Sequence, residues 1–591
     1  MTTDPKALLS QPLDALSAEQ VMKLAKRFVR AAGRGQLGRP LKVALLSGFL
    51  TDYLADTLVL MLARRGFAVE LWRAPYGIMA GAVLEEDGAL AAFAPDLAIL
   101  LPSHRDLARL PPPGATAAAA QSAAEAEAQM WRRLWHRLGC PVVHLTFDPP
   151  PARPLGELEG FTPGGVLDHV RRVNRLLADD LPATVALVDA EWLAARVGLE
   201  RWHDARMHAL CKQPFAFEAL PVLADSLAGA AAGLMARGRK CLVLDLDNTL
   251  WGGEIGDLGV EGITLGSESA EGEAFVALQR YAKRLAERGV VLAVCSKNDD
   301  SIARTPFQQH SAMVLGLDDI ACFMANFEDK AGNIRAIAQK LNLGLDALVF
   351  VDDNPVERAW VRDRLPEVLV VELPDDPALY VRALDDCGAF PLARLTAEDL
   401  GRAASYQARA QVAERLEAGD DMDSFLASLE PRLTVEPVGP AALDRIVQII
   451  GKTNQFKLNP TIFTADQITA RGADVLAIRF ADRLQDYGIV AVAVTRPEDG
   501  ALRIDNWVMS CRVFSRRLEH ATRILLGRMA EKRGLGRLTL RYEPSAKNGL
   551  LAGILPRLGF ETRCCGGEWS APAAPPADLS PHHMPLPEDV P

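Results

Sequence analysis

Residues 241–250 read Cys-Leu-Val-Leu-Asp-Leu-Asp-Asn-Thr-Leu, an apolar run that ends in two carboxylates one residue apart. In a strand, residues i and i+2 point to the same side, so Asp245 and Asp247 are expected to share one site just past a buried parallel strand. Open α/β sheets bind their ligands at that edge. Two adjacent carboxylates repel each other unless a cation lies between them, and Mg²⁺ suits a phosphate substrate. The stretch therefore predicts an aspartyl nucleophile, Asp245, with Asp247 as general acid and base.

Three later motifs follow in an order that fits the same site. Residues 290–296 form a second apolar run that ends in the hydroxyl of Ser296, and Lys330 precedes a helical pattern. Residues 347–351 form a third apolar run, which ends in Asp352-Asp353-Asn354-Pro355. We expect Ser296 to hydrogen-bond a transferring phosphoryl group and Lys330 to neutralise the phosphate and orient the nucleophile. The paired acids are expected to bind the metal.

This constellation resembles the haloacid dehalogenase (HAD) superfamily of phosphohydrolases. The resemblance implies metal ligands at Asp245, Asp247, Asp352 and Asp353, and phosphate or substrate contacts at Thr249, Ser296, Lys297, Asn298 and Lys330. Thr249 is expected to support the loop as well as to contact the substrate. Either Asp352 or Asp353 could contact a metal ligand rather than the metal itself. The short interval between Leu250 and a helix near Glu271 leaves no room for a large cap domain. The site is thus expected to admit a bulky or protein-borne substrate, or to be covered by another part of the chain.

Length and composition limit the other possibilities. A chain of 591 residues is too long for one core and predicts several domains. The formal charge of −11 disfavours a general nucleic-acid binder. No membrane span or signal peptide is indicated, and the nine cysteines are scattered without a zinc-binding pattern, so a reduced, cytoplasmic protein is expected.

Alternating strand and helix patterns before the first motif predict a doubly wound parallel sheet in residues 1–204, and residues 205–238 are interpreted as a helical connector. This region resembles the SGNH hydrolases in fold only. Ser47, Asp52, His144 and His203 could suggest a hydrolase triad, but Ser47 lacks the sequence setting of a serine nucleophile. We therefore expect a docking or substrate-presenting domain without catalysis.

Beyond the HAD-like domain, at 239–393, a helical linker is predicted over 394–430 and a third domain over 431–570. Short strands there, with a long helix after the fourth main strand, resemble the α+β fold of the GNAT acyltransferases. In place of the glycines that bind coenzyme A pyrophosphate in that family stands Arg512-Val513-Phe514-Ser515-Arg516-Arg517, which puts ordinary coenzyme A binding in doubt. A helix amino terminus and nearby arginines would lower the pKa of Cys511, which makes it a candidate nucleophile; the alternative is a buried, inert thiol. The proline-rich residues 571–591 are expected to be disordered.

The whole arrangement resembles the FkbH-like family, bifunctional glyceryl transferase/phosphatases of polyketide biosynthesis. Its signatures are VLDLDNTLWGGEIGDLGVEGI at 243–263, VCSKND at 294–299, FVDDNPVER at 350–358, KTNQFKL at 452–458 and MSCRV at 509–513. The resemblance implies an α/β multidomain enzyme that uses Mg²⁺ and converts 1,3-bisphospho-D-glycerate to a glyceryl thioester on the phosphopantetheine of an acyl carrier protein.

In that interpretation Cys511 carries the acyl group and Asp245 removes the phosphate. The further candidates for substrate contact are Asn454, Gln455, Arg512, Asp505 and Asn506. A basic patch for an acidic carrier protein could come from Arg512, Arg516, Arg517, Arg537 and Arg541. Two alternatives remain open: a Mg²⁺-dependent phosphatase for another metabolite, whose carboxyl-terminal domain only binds substrate or carrier, and a non-catalytic scaffold for carrier proteins.

Overall fold

The structure is a computed structural model, and it divides into two compact units. The first comprises Met1–Gly238 with Pro391–Arg394, and the second comprises Arg239–Phe390 with Leu395–Pro591. The residues described are 4–13, 16–32, 38–85, 87–396, 399–402, 406, 426–453, 455–483, 486–510, 513, 516–545, 548–562, 567–577, 579 and 584–591. Most of the linker predicted at 394–430 lies outside the described residues.

The first unit contains a five-stranded, wholly parallel sheet in the order β2-β1-β3-β4-β5. Its strands are β1 Arg39–Ser47, β2 Phe67–Arg73, β3 Leu97–Leu101, β4 Val142–Leu145 and β5 Val185–Val188. Alternate residues of β1 enter separate cores on the two faces, Val43 and Leu45 on one and Ala44 and Leu46 on the other. The predicted doubly wound arrangement is therefore present.

Helices cover both faces of this sheet. The α-helices are Pro5–Leu9, Ala18–Ala32, Asp52–Arg64, Met79–Leu84, Ala89–Phe93, Ala117–Leu138, Val166–Ala178, Ala190–Val197, Leu199–Trp202, Ala205–Cys211 and Leu220–Leu234; single 3₁₀ turns occur at His104–Asp106, Gly156–Leu158 and Phe217–Ala219.

The segment interpreted as a connector belongs to the first unit. Leu220, Leu223 and Leu227 of the helix Leu220–Leu234 are fully buried in the same core as Val43 and Leu45. Burial of each such leucine contributes about 1.5–3 kcal/mol. The prolines of this segment had suggested a connector rather than a helix of the core. Phe217–Leu234 also has the length and composition of a membrane span, a property that core helices of this kind share.

A second parallel sheet, in the order β10-β9-β6-β7-β8, follows in the second unit. Its strands are β6 Cys241–Leu244, β7 Val291–Ser296, β8 Ile320–Ala325, β9 Leu348–Val351 and β10 Leu369–Val370. The strand order reverses beside β6, where open α/β sheets form their ligand crevice. The α-helices are Ile255–Leu258, Ala270–Glu287, Asp300–Ala303, Thr305–Gln309, Lys330–Leu341, Pro355–Arg364 and Tyr380–Asp386; 3₁₀ turns occur at Leu317–Asp319, Leu345–Ala347 and Pro377–Leu379.

The absence of a large cap is confirmed in this fully described stretch. Between β6 and the helix Ala270–Glu287 there are only the one-turn helix Ile255–Leu258 and two isolated bridges, Asp247 with Trp251 and Gly252 with Thr264. Between β7 and β8 there are only two short helices and a 3₁₀ turn.

The carboxyl-terminal sheet is mostly antiparallel, in the order β11-β13-β14-β15-β16-β18-β17, with β12 paired to β15. Its strands are β11 Arg432–Glu436, β12 Phe456–Lys457, β13 Val475–Ala481, β14 Asp486–Glu498, β15 Ala501–Met509, β16 Arg537–Arg541, β17 Glu561–Thr562 and β18 Glu568–Pro572. Its helices are Pro440–Lys452, Ala465–Arg471, Leu518–Lys532 and Leu551–Arg557, with a 3₁₀ turn at Gly472–Asp474. The predicted order, with a long helix after the fourth main strand, is present.

One strand pair in this sheet departs from the antiparallel pattern. The parallel partners β15 and β16 pair only over Leu502–Ile504 with Leu538–Leu540, although β15 continues to Met509. The far end of β15 pairs instead with the two-residue strand β12. The two parallel strands therefore stop sharing hydrogen bonds halfway along β15, toward the end that leads to Cys511.

The expectation of a disordered tail is wrong for the described part of residues 571–591. Leu579, Met584 and Val590 are buried in the carboxyl-terminal core. Lys532 donates to the carbonyl of Val590 at 2.6 Å, and Arg528 donates to that of Pro587 at 2.8 Å. Proline-rich composition led to the prediction of disorder, but apolar side chains spaced between the prolines are buried in the core.

Candidate active site

Two buried carboxylates and one lysine meet at the carboxyl edge of the second sheet. Asp245 and Asp352 directly follow the neighbouring strands β6 and β9, and the N–H of Asp245 donates to the carbonyl of Val351 at 3.0 Å. Lys330 opens the helix Lys330–Leu341, which Asp329 caps. Its Nζ lies 3.0 Å from Asp245 Oδ2 and 2.5 Å from Asp352 Oδ2. The structure thus brings together three residues that the sequence analysis had placed in one site.

The same edge can hold a metal ion. One carboxylate oxygen each from Asp245, Asp352 and Asp353 lies within 4.8 Å of the others. Asp245 Oδ1 is buried and has no hydrogen-bond partner among the described residues. Because a buried polar atom without a partner is costly, this oxygen requires a ligand, and carboxylate oxygens are the donors that Mg²⁺ prefers. The residues therefore fit a hard divalent cation.

Burial and charge set the protonation of this group. Burial raises the pKa of Asp245 to about 7, Lys330 opposes this rise, and the neighbouring Asp352 adds to it. Burial alone would lower the pKa of Lys330, but the two carboxylates raise it above its ordinary value. Burial, followed by the charge of Asp352, also raises the pKa of Asp353. One lysine does not fully compensate three acids, so the site favours an added positive charge.

Asp247 stands apart from the carboxylates that could hold the metal. Its Oδ1 accepts the indole N–H of Trp251 at 2.9 Å and the backbone N–H of Ile255 at 3.1 Å. Its Oδ2 accepts the side-chain amide of Asn298 at 2.8 Å. Asp247 is not in the group of three carboxylates within ligand distance. These contacts fix its carboxylate in place, as a positioned acid and base requires, without committing it to a cation.

The loop after β9 is held from both sides. Thr249 Oγ1 accepts the N–H of Asp353 at 3.1 Å, and the N–H of Asn354 donates to Asp352 Oδ1 at 2.8 Å. Arg358, almost fully buried, donates to the carbonyls of Asp352 at 2.8 Å and Asp353 at 2.6 Å. Thr249 thus supports the acidic loop, as the sequence suggested.

The remaining predicted phosphate contacts lie after β7. Ser296 is buried, and its Oγ accepts the amide N–H of Asn298 at 3.3 Å. Asn298 therefore joins Ser296 to Asp247. Lys297, which is partly exposed, forms an ion pair with Glu357 at 2.5 Å. The structure places Lys297 against a carboxylate rather than toward Asp245, so a phosphate contact by Lys297 remains a prediction.

In the first unit, Ser47, Asp52 and His144, which were considered for a hydrolase triad, have other partners. Ser47 Oγ accepts the N–H of Phe49, and no hydrogen bond joins it to a histidine in the described part of the chain. Asp52 pairs with Arg73 at 2.8 Å. His144 Nδ1 accepts the indole N–H of Trp135 at 2.7 Å, and complete burial lowers the pKa of His144 to about 3.

Several candidates in the carboxyl-terminal domain, Asn454, Cys511 and Arg512, lie outside the described residues. Among the described residues, β15 ends at Met509 and the long α-helix of this domain begins at Leu518. Gln455 Oε1 is buried and has no partner among the described residues.

Other residues proposed for substrate or carrier contact have structural partners. Asp505 pairs with Arg471 at 2.9 Å, and the Asn506 amide donates to the carbonyl of Thr461 at 2.9 Å. Arg516 is buried and pairs with Asp482 at 3.2 Å, so its inclusion in a basic surface patch is wrong. Arg541 is exposed but pairs with Glu543 at 3.1 Å.

Comparison with solved structures identifies the larger part of the chain. The N-terminal part of the protein BF1531 from Bacteroides fragilis, which contains a phosphatase domain complexed with Mg, is 30% identical, with a TM-score of 0.57. The match covers 64% of this chain and 100% of that one. This chain belongs to the family of that phosphatase-domain protein. No protein-family model and no curated protein matches the chain.

Acetyltransferases form a second group of similar structures. The ribosomal-protein-S18-alanine N-acetyltransferase from Escherichia coli is 17% identical over 25% of this chain and 97% of its own, with a TM-score of 0.19. A GNAT-family acetyltransferase from Staphylococcus aureus is 8% identical over 24% and 99%, with a TM-score of 0.18. The third domain is described as GNAT-like because of its strand order, with the long helix after the fourth main strand.

Sequence reasoning missed two residues of the HAD-type phosphatase domain, although both lie within its quoted signatures. Trp251 fixes Asp247, and Arg358 fixes the loop that carries Asp352. A tryptophan four residues after Asp247 is a signal that could have been used. For Arg358 the only sequence signal was its position in the helix after the paired acids, and an arginine at such a position usually faces solvent.

Proposed function

We propose that this chain is a bifunctional glyceryl transferase/phosphatase of the cytoplasm. It would convert 1,3-bisphospho-D-glycerate to a glyceryl thioester on an acyl carrier protein. The observation that carries the phosphatase half is the buried group of Asp245, Asp352 and Lys330, with Asp245 Oδ1 lacking a partner. The Mg complex of the related phosphatase domain supports it. The acyl-transfer half rests on the resemblance around Cys511.

In the phosphatase step, Asp245 attacks the phosphorus of the 3-phosphate and forms an aspartyl-phosphate. Asp247, held by Trp251 and Asn298, protonates the leaving oxygen and then removes a proton from the hydrolytic water. Lys330 holds Asp245 Oδ2, which leaves Oδ1 as the oxygen without a hydrogen bond. When bound by Asp245, Asp352 and Asp353, Mg²⁺ would neutralise phosphate charge.

In the transfer step, the Cys511 thiolate attacks the acyl-phosphate carbonyl. The carbon–oxygen bond to phosphate breaks, inorganic phosphate leaves, and the glyceryl group remains as an enzyme thioester. The phosphopantetheine thiol of the carrier then exchanges with Cys511.

The lack of an inserted cap favours a substrate larger than a free metabolite at some stage of the cycle. A HAD-type site without a cap has no domain of its own to close over a small phosphate ester, and catalysis by charge is strongest where water is excluded. An acyl group carried on a protein or held by another domain would meet that need.

The test uses intact-mass spectrometry of the full chain with Mg²⁺, 1,3-bisphospho-D-glycerate and an acyl carrier protein. Wild type should give an acyl-enzyme and a heavier carrier, and Cys511→Ala should give neither, while the matched variant Cys140→Ala behaves as wild type. Asp245→Asn should leave phosphate on the acyl group. If Cys511→Ala acylates the carrier normally, the transfer half is wrong; if wild type and Cys511→Ala release phosphate equally and wild type forms no acyl-enzyme, the chain is a plain phosphatase.

A further inference from the structure

A second group of metal-ligand side chains lies in the first unit, at the carboxyl edge of its own sheet. His104 opens the 3₁₀ turn after β3, Asp148 follows β4, and His203 follows the helix Leu199–Trp202. His104 Nδ1 lies 3.1 Å from Asp148 Oδ1, and His203 Nε2 lies 3.6 Å from Asp148 Oδ2. One ligand atom from each of the three residues lies within 4.8 Å of the others. Three distant parts of the sequence therefore converge on one point.

The carboxylate of Asp148 is the centre of the group. Its side chain has no exposed surface, and no lysine or arginine lies within ion-pair distance of it in the described part of the chain. Among the described residues, this buried carboxylate is therefore held by imidazoles and neutral N–H donors rather than by a lysine or an arginine.

The spacing fits a four-coordinate cation. Ligands at about 2.0–2.1 Å from a tetrahedral ion lie about 3.3 Å from one another. The two nitrogen–oxygen separations, each to a different oxygen of Asp148, are 3.1 and 3.6 Å, and one ligand atom from each residue lies within 4.8 Å of the others. The carboxylate is also oriented from behind, because the backbone N–H of His104 donates to Oδ1 at 2.7 Å and the indole of Trp202 donates to Oδ2 at 3.2 Å. Contacts of this kind fix the direction of metal ligands.

We propose that His104, Asp148 and His203 bind a divalent first-row transition cation, with Zn²⁺ as the representative ion. Two imidazole nitrogens and one carboxylate oxygen suit Zn²⁺ better than Mg²⁺, which prefers oxygen ligands. Binding requires His203 to give up its present bond to the carbonyl of Pro149, at 2.8 Å, and to turn the Nε2 lone pair to the ion.

Access to the site is consistent with exchange. The side chains of His104 and His203 keep 9% and 8% of their surface, whereas Asp148 keeps none. The cation would therefore reach the two imidazoles from solvent and rest on a carboxylate behind them. Three protein ligands leave a fourth position for water or for a substrate atom, as in catalytic rather than structural zinc sites.

The experiment measures zinc stoichiometry in the full chain after chelator treatment, reloading with Zn²⁺ and gel filtration. Asp352→Asn should be included as a background, because it removes an acid of the phosphatase site without touching the first unit. In that background one zinc per chain is expected. His203→Gln should weaken zinc binding at least a hundredfold, and His136→Gln, an exposed histidine on the helix Ala117–Leu138, should leave it unchanged.

Two further measurements keep the test decisive if a variant folds poorly. His104→Gln retains an amide that can donate to Asp148, so it should keep the circular dichroism spectrum and still lose the metal. Co²⁺ in place of Zn²⁺ should give visible absorption of a four-coordinate ion that His104→Gln abolishes. Retention of less than one-tenth of an equivalent of zinc by the Asp352→Asn background, or as much zinc in the His104→Gln and His203→Gln variants as in that background, overturns the proposal and leaves a purely hydrogen-bonded cluster.

Discussion

Two parallel sheets in this chain bury carboxylates at their carboxyl edges, and they compensate the charge differently. At the edge of the second sheet, Lys330 forms ion pairs with Asp245 and Asp352. At the edge of the first sheet, Asp148 lies against the imidazoles of His104 and His203 and accepts the indole N–H of Trp202, and no lysine or arginine of the described residues lies within ion-pair distance of it. The fold supplies the same location in both cases, but the neighbouring side chains decide whether a hard, oxygen-preferring cation or a nitrogen-binding one is suited to it.

The largest effect is expected from Asp245→Asn. The amide cannot act as a nucleophile, so phosphate release should fall by at least about 10³-fold. Asp257→Asn, on the exposed helix Ile255–Leu258, is the matched control and should retain full activity. Phosphate release is measured in both with Mg²⁺ present. Undiminished turnover in Asp245→Asn would assign the reaction to another site, and the first sheet would become the candidate.

Lys330→Met tests whether the lysine is what keeps the second site stable. Removing it leaves Asp245 and Asp352 buried without their cation, which should cost about 3–5 kcal/mol in free energy of unfolding. Lys297→Met removes a 43% exposed partner and should cost less than about 1 kcal/mol. Denaturant titrations without Mg²⁺ compare the two, and added Mg²⁺ should recover part of the loss in Lys330→Met alone. Equal losses would contradict this account of the charge balance.

Arg358→Met tests the support behind the acidic loop. The variant loses the hydrogen bonds to the carbonyls of Asp352 and Asp353, so Mg²⁺ affinity should weaken by about 10–100-fold while the ligands themselves remain. Arg362→Met lies on the same helix and pairs with Glu372 at the surface, so it serves as the control. Isothermal titration calorimetry gives both affinities. An unchanged affinity in Arg358→Met would mean that the loop is held without it.

The smallest predicted effect is a pH dependence of Mg²⁺ binding at the edge of the second sheet. Burial raises the pKa of Asp245 to about 7, so below that pH a proton competes with Mg²⁺ for the carboxylate. Lowering the pH from about 8 to about 6 should weaken Mg²⁺ binding, by at most about tenfold per unit below the pKa. Asp245→Asn should remove this dependence. Affinity that rises as the pH falls would show that the sign is wrong.

Local sequence pattern predicted those parts of the molecule in which neighbours along the chain carry the chemistry. Asp245 and Asp352 were found because each ends an apolar run. The carboxyl-terminal strands and the helix Leu518–Lys532 were found for the same reason, because their patterns are long and regular.

The parts that sequence reasoning missed depend on tertiary packing. The separation of Asp247 from the other carboxylates follows from contacts with Trp251 and Asn298, which i and i+2 spacing does not show. The burial of Arg516 against Asp482 joins two segments that are far apart in sequence. His104, Asp148 and His203 carry no common spacing and become a group only when strands of the first sheet are aligned.

The anchored carboxyl-terminal segment provides a place for a probe of unfolding of the third domain. Lys532 and Arg528 donate hydrogen bonds to the carbonyls of Val590 and Pro587. These hydrogen bonds are therefore lost when the helix Leu518–Lys532 unfolds. An environment-sensitive fluorophore on the exposed residue 588 would therefore report the opening of that domain separately from the melting of either parallel sheet.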